Sequence, residues 1–184
     1  MDDTTPFADV LRAVEVIVIP LEDDGCVPNN PSLPLLVYPG VIDPAALARR
    51  GTSLVREIFS ANSWMGSWVN GIYSFQHYHS TAHEVLGCTE GSARVQFGGE
   101  SGVMQTVSAG DVVVIPAGGG HKNCGSSPDF TIVGAYPPGQ SPDRFYGEPG
   151  ERPQVDQNIA RVPLPRTDPV LGESGPLLTY WRNV

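Results

Sequence analysis

An all-β barrel or sandwich with a helix over one face is the fold class this sequence predicts, on three observations. Between Ile72 and Tyr136, short runs rich in Val, Ile, Thr and Phe alternate with turn clusters rich in Gly, Ser and Asp. The chain carries 21 Gly and 18 Pro, which suits many short strands joined by tight turns. Helical spacing of apolar residues marks one stretch, Asp43 to Ser60. At 184 residues the chain is most simply one domain, 1–184, able to build its core without staples.

Taken in order, Ala13 to Pro20 (AVEVIVIP) alternates and is β-branched, so it reads as a strand stopped by proline. A turn-rich loop follows, then a short strand at Leu35 to Tyr38, which makes 1–42 a unit of N-terminal strands and loop. Asp43 as N-cap and Pro44 at the first helical position start a helix. Leu47, Leu54, Val55, Ile58 and Phe59 share one stripe, so a single helix over 43–60 should cover the β core. Trp64 and Trp68 are expected to seal that helix against the core. Residues 68–137 form the core itself: a strand through Ile72–His79, then EVLGC, ARVQF, VMQTV, VVVI, HKNC and FTIVGAY. Residues 138–184 are proline-rich and cannot line a sheet interior, because each proline removes a donor. They also carry Phe145, Tyr146, Ile159, Val162 and Leu164, too much apolar surface for a solvated linker. The expectation is an ordered strap over the barrel or a partner subunit, with disorder, if any, in the final LLTYWRNV.

Charge and cysteine content narrow the function classes. Eleven basic against 20 acidic residues give a net charge of −9, and Lys122 is the single lysine. Phosphate backbones are bound by clustered Lys and Arg, so no nucleic-acid partner is expected. Cys26, Cys88 and Cys124 are odd in number and lack paired metal spacing, which suggests free thiols in a reducing compartment. The opening MDDTTPFADV is acidic and polar, and no apolar run approaches a bilayer span. A cytoplasmic protein without a membrane partner is expected. The strand beginning near Ala13 could pair between subunits at a sheet edge, so a homodimer is expected.

The chemistry concentrates in GIYSFQHYHSTAHEVLGCTEG, Gly71 to Gly91. His77 and His79 are two apart, so on a strand both imidazoles project from the same side. Glu84 lies at an odd offset from His79 and faces back only if a turn intervenes through Ser80, Thr81 and Ala82. A fourth group comes from GDVVVIPAGGGH, Gly110 to His121: an apolar run, a proline stop, a glycine-rich turn and a histidine. Together His77, His79, Glu84 and His121 form a set suited to a divalent transition metal such as Fe, Mn, Ni or Zn. Zinc favours a closed tetrahedral site, whereas three histidines and a carboxylate around Fe, Mn or Ni leave positions open to substrate. Glu84 either binds the ion or acts as a base, and His83 beside it is expected in a supporting or entrance role. By strand parity Tyr73 and Phe75 point toward the ligands, with Phe75 as core filling. Cys88 is expected as a packed thiol in the cavity wall. The Gly118–Gly120 run lacks a Walker lysine and reads as a turn.

These segments resemble the two motifs of the cupin superfamily. Gly71, His77, His79, Glu84 and Gly91 fill every position of the first, and Gly110, Pro116, Gly118 and His121 fill the second. The asparagine the family usually places four residues after the last histidine is replaced by Gly125, with Asn123 two residues nearer. HYHSTAHEVLG and GDVVVIPAGGGHKN are also similar to a group of bacterial single-domain cupins, the YjlB-like proteins. The resemblance implies a double-stranded β-helix, the cupin jelly-roll barrel, around a metal held by His77, His79, Glu84 and His121. Two functions follow as expectations. One is a metal-dependent enzyme of dioxygenase, isomerase or lyase type acting on a small oxygenated molecule. The other is a non-catalytic, metal-dependent small-molecule binding protein.

Overall fold

The computed structural model describes residues 7–182. The first six residues of the acidic opening and the last two of the chain lie outside them. Among the described residues nine strands make two antiparallel sheets: β1 Ile17–Ile19, β2 Leu35–Tyr38, β3 Met65–Asn70, β4 Glu84–Glu90, β5 Ser92–Phe97, β6 Val103–Ser108, β7 Val112–Ile115, β8 His121–Ser126 and β9 Thr131–Tyr136. Six form the larger sheet in the order β1-β2-β7-β4-β9-β3, and the smaller sheet is β6-β5-β8. This is the two-sheet arrangement of the predicted cupin fold.

Burial along β2 and β7 explains the layering. All four residues of each are buried, so neither face of the large sheet meets water there. Leu36, Tyr38, Val112 and Val114 join one apolar cluster with Leu54, Val55, Ile58 and Phe59 of the helical layer. Leu35, Val37, Val113 and Ile115 join the other, with Ala93, Val95, Phe97 and Val107 of the small sheet. Period-two alternation thus distributes one set of strands between two cores.

The predicted helix over 43–60 is two helices, α1 Pro44–Arg50 and α2 Thr52–Ala61, divided at Gly51 with φ of 53°. Asp43 caps α1 as expected, its carboxylate accepting from the amides of Ala45 and Ala46. Gly87 on β4 leaves the space that Val55 and Phe59 of α2 fill; a Cβ there would lie 2.6 Å from Val55.

The proline-rich C-terminal segment packs on its own chain. It includes two short helices that its prolines obscured in the sequence, α3 Gln154–Ile159 and α4 Pro176–Arg182. Val155, Ile159, Val170, Leu177, Leu178 and Trp181 are buried, so the final segment through residue 182 is ordered and docked. Its anchor is Asp168, which is fully buried. The Asp168 carboxylate accepts from the Tyr38 hydroxyl at 2.6 Å and from the amides of Val170, Leu171 and Leu177. Of the apolar residues expected to tie this segment down, Tyr146 and Leu164 instead remain 45% exposed.

Candidate metal centre

Residues 71–83 contain no regular strand; the backbone is held by isolated bridges, His77 with His121 and Tyr78 with Phe145, and by single bonds such as that from the Asn123 amide to the Tyr73 carbonyl at 2.9 Å. Tyr73 still points toward the histidines, its ring meeting that of His77 edge-on at 5.2 Å, but the expected burial fails. Tyr73 and Phe75 are 39% and 43% exposed, and Phe75 is not core. At the histidines the outcome survives, because the bridge does what a strand would have done. The amide of His121 donates to the His77 carbonyl at 2.9 Å, the reverse bond closes at 3.3 Å, and the two rings stand 4.0 Å apart. His79 is set by the Gly118 amide on its carbonyl and by the C-terminal segment beyond it. The Asp143 carboxylate takes the Ser80 amide at 2.6 Å and the Ser80 hydroxyl, and the Asp143 carbonyl meets His79 Nδ1. Ser80 and Thr81 make the predicted bend, and Glu84 then opens β4 facing back toward the imidazoles.

His77, His79 and His121 each offer a ring nitrogen, and the three nitrogens lie within 4.8 Å of one another. On each ring Nδ1 faces a backbone carbonyl: Phe75 at 3.3 Å for His77, Gly119 at 3.2 Å for His121, and Asp143 for His79. Nδ1–H is thereby fixed as the donor and Nε2 keeps its lone pair, the tautomer a metal ligand needs. Glu84 is 2% exposed. Its Oε1 accepts from the Tyr136 hydroxyl at 3.0 Å, which itself accepts from Trp68 Nε1–H at 2.8 Å. Oε2 stands 3.3 Å from His121 Nε2 and 3.5 Å from His79 Nε2, misaligned for a hydrogen bond, and has no hydrogen-bond partner. A buried carboxylate oxygen without a donor is costly, and a cation among these groups is what would satisfy it. All four predicted ligands are thus together, and they fit a metal ion.

Electrostatics agree with that reading. Burial depresses the His77 pKa to about 3, with the neighbouring His121 adding to the shift, so His77 is neutral and ready to ligate. Burial opposes charge on Glu84, yet His79 and His121 outweigh it and hold the carboxyl below its usual range. Burial also opposes charge on His79, but Glu84, helped by Asp143, raises its pKa overall. The Tyr136 hydroxyl is pushed up by burial and by the Glu84 charge, so it stays a donor.

His83 is not brought to the centre. It is 1% exposed, its Nδ1 accepts from the Ala117 amide at 2.9 Å, and its ring lies 4.8 Å from that of Trp181. Burial lowers its pKa to about 3, the Pro163 carbonyl offsets this only in part, and Nε2 makes no hydrogen bond. Cys88 is buried with its pKa raised to about 12 by burial and Asp111, as a packed thiol should be, but it does not line the cavity. The Asn123 side chain accepts from the Gly125 amide and donates to the Ser126 hydroxyl on β8, away from the imidazoles.

The imidazoles and Glu84 form the floor of a cavity of about 250 Å³. Its walls include Trp68, Ile72 and Leu86, with Tyr73, Tyr136 and Arg144 as polar groups. Trp68, Tyr136 and Arg144 among them went unread in the sequence. Trp68 reads as a helix seal, a task Trp64 performs instead at 1% exposure within the helical core. Trp68 lies across β9 opposite Gly134, where a Cβ would collide with the indole. Tyr136 gave a partial signal as the polar end of an apolar strand, and Arg144, in an aperiodic segment, gave none.

A sequence model of the family described as Cupin matches residues 69–137. The uncharacterized protein YjlB of Bacillus subtilis (strain 168) is 43% identical over 159 residues, spanning 86% of this chain and 92% of that protein. Among solved structures, procruciferin, an 11S globulin of Brassica napus, shares 22% identity over 44% of this chain and 21% of its own, with a TM-score of 0.36. Acireductone dioxygenase from Bacillus anthracis, with cadmium in its active centre, shares 12% identity over 70% of this chain and 82% of its own, with a TM-score of 0.38. At such scores the likeness to these two structures extends to neither chemistry nor ligand.

Proposed function

We propose that this chain, which belongs to the cupin superfamily as a relative of YjlB, is a metal-dependent enzyme acting on a small oxygenated molecule. The observation that carries the proposal is the unpartnered Glu84 Oε2 beside three imidazole nitrogens at the floor of an open cavity. His77, His79 and His121 would hold a divalent ion, Fe, Mn, Ni or Zn, through Nε2, with Glu84 completing the set through Oε2. Such an ion supplies Lewis-acid polarisation or oxygen activation, as dioxygenase, isomerase or lyase reactions require.

The chain's own groups do the positioning. Three backbone carbonyls lock the ring tautomers, and the Trp68–Tyr136 relay holds Glu84 by one oxygen so that the other stays free. That oxygen either completes the ligand set or, when it does not bind the ion, is the group placed to take a proton from a bound molecule. Trp68, Ile72 and Leu86 supply apolar walls that limit water around it.

Elemental analysis of natively expressed protein should find near-stoichiometric divalent metal in the wild type and none in a His77→Ala, His121→Ala double variant. Unchanged metal content in that variant defeats the assignment. Screening small oxygenated compounds under air and under nitrogen then tests turnover, and saturable binding without product formation identifies a binding protein instead.

A further inference from the structure

Among the described residues that line the cavity, Arg144 is the only Arg or Lys. Three other arginines pair with carboxylates, Arg12 with Asp43, Arg50 with Glu57, and Arg152 with Asp23 and Asp156, and none of the three lines the cavity. Arg144 pairs with none among the described residues, in a chain of net charge −9. It is held instead by an aromatic ring. Its guanidinium carbon stands 4.7 Å from the Tyr73 ring centre, and its Nη2 donates to the Tyr73 hydroxyl at 3.3 Å. Tyr73 in turn stacks on Phe75 at 4.8 Å, so an otherwise mobile side chain rests on a small aromatic platform at the cavity mouth. An arginine with five N–H donors and one committed to a tyrosine has the rest of its fork available.

We propose that Arg144 anchors the substrate through a carboxylate, so that the substrate class is small oxygenated monoanions with the reacting oxygens directed at the histidines. This rests on the metal-site reading above and adds the substrate's charge to it. The cavity, at about 250 Å³, falls below the usual range for drug-sized ligands and suits a short acid. One guanidinium matches one carboxylate. The apolar walls accept a hydrocarbon segment between the two ends.

Calorimetric titration of the metal-loaded full chain with pyruvate, lactate and mandelate, each against its amide, tests the anchor. At least one acid should bind the wild type saturably, and about tenfold or more tighter than its amide. Arg144→Gln should weaken that acid about 10- to 100-fold and leave the amide unchanged, with Arg144→Lys retaining part of the preference. The side chain is exposed, so these variants should fold. Equal binding of acid and amide, undiminished binding by Arg144→Gln, or no saturation by any of the three acids at millimolar concentration overturns the proposal. Metal content measured on the same samples keeps the two readings apart. Retained metal with no acid preference rejects the Arg144 anchor alone, whereas acid preference in a chain that holds no metal rejects the metal site and leaves the anchor standing.

Discussion

Glu84 and Asp168 are the two fully buried carboxylates among the described residues, and each accepts from a tyrosine hydroxyl. There the likeness ends. Asp168 receives three backbone amides besides Tyr38, and both of its oxygens are satisfied. Glu84 receives only Tyr136, and its second oxygen faces imidazole nitrogens without a hydrogen bond. A carboxylate whose lone pairs are all used inside the fold is a fastener; one left with an open lone pair in a lined cavity is available for chemistry. The contrast separates a structural site from a functional one by hydrogen-bond accounting alone.

Stability gives the sharpest way to break that contrast. Asp168→Ala strands the Tyr38 hydroxyl and three amides, including the Leu177 amide in the first turn of α4. With each buried orphan costing about 1–3 kcal/mol, less what relaxation recovers, the loss should be about 4 kcal/mol, read from the denaturation midpoint. Loss of under about 1 kcal/mol would remove Asp168 as the anchor of the C-terminal segment. Glu84→Gln should do the opposite: metal affinity falls by about 100-fold or more, while the metal-free protein changes by no more than about 1 kcal/mol. Equal stability losses in the two variants would mean that Glu84 too is a fastener.

The smallest expected effect is one of pH. The His79 pKa is raised above its ordinary 6.5, because Glu84 outweighs burial. A histidine raised on folding adds stability below 6.5 and loses it as pH rises through the folded value. The metal-free protein therefore forfeits this contribution on the alkaline side, where a metal ion no longer competes with the proton for His79. The rise in Tm on adding divalent metal should be larger at about pH 8 than at about pH 6. A metal-induced rise that does not vary with pH excludes His79 as a ligand.

No helix among the described residues is long and apolar enough to cross a membrane. Otherwise the fold and the site were legible to different depths. Strands β4 to β9 stood out because their apolar runs are short and separated by turn residues, and α2 because Leu54, Val55, Ile58 and Phe59 repeat at helical spacing. Strand β3, MGSWVN, carries no alternation, since it is an edge strand whose exposed Met65 and Val69 bury nothing. The segment before the histidines misled in another way. Ser-Phe-Gln-His reads as strand, but its backbone is held by bridges to β8 and to Phe145, and Phe75 lies at the surface instead of in the core.

By itself the sequence determined the fold class and the four groups that converge on the centre. Alternation of apolar residues, turn chemistry and motif spacing are local properties, written within a few residues of where they act. Only the tertiary structure decided that Trp68 and Tyr136 tether Glu84, that Arg144 reaches the cavity, that His83 faces away from it, and that Asp168 fastens the C-terminal segment. Each of these depends on a contact between residues more than 30 positions apart, formed where packing brings two elements together, and no periodicity along the chain records such a meeting.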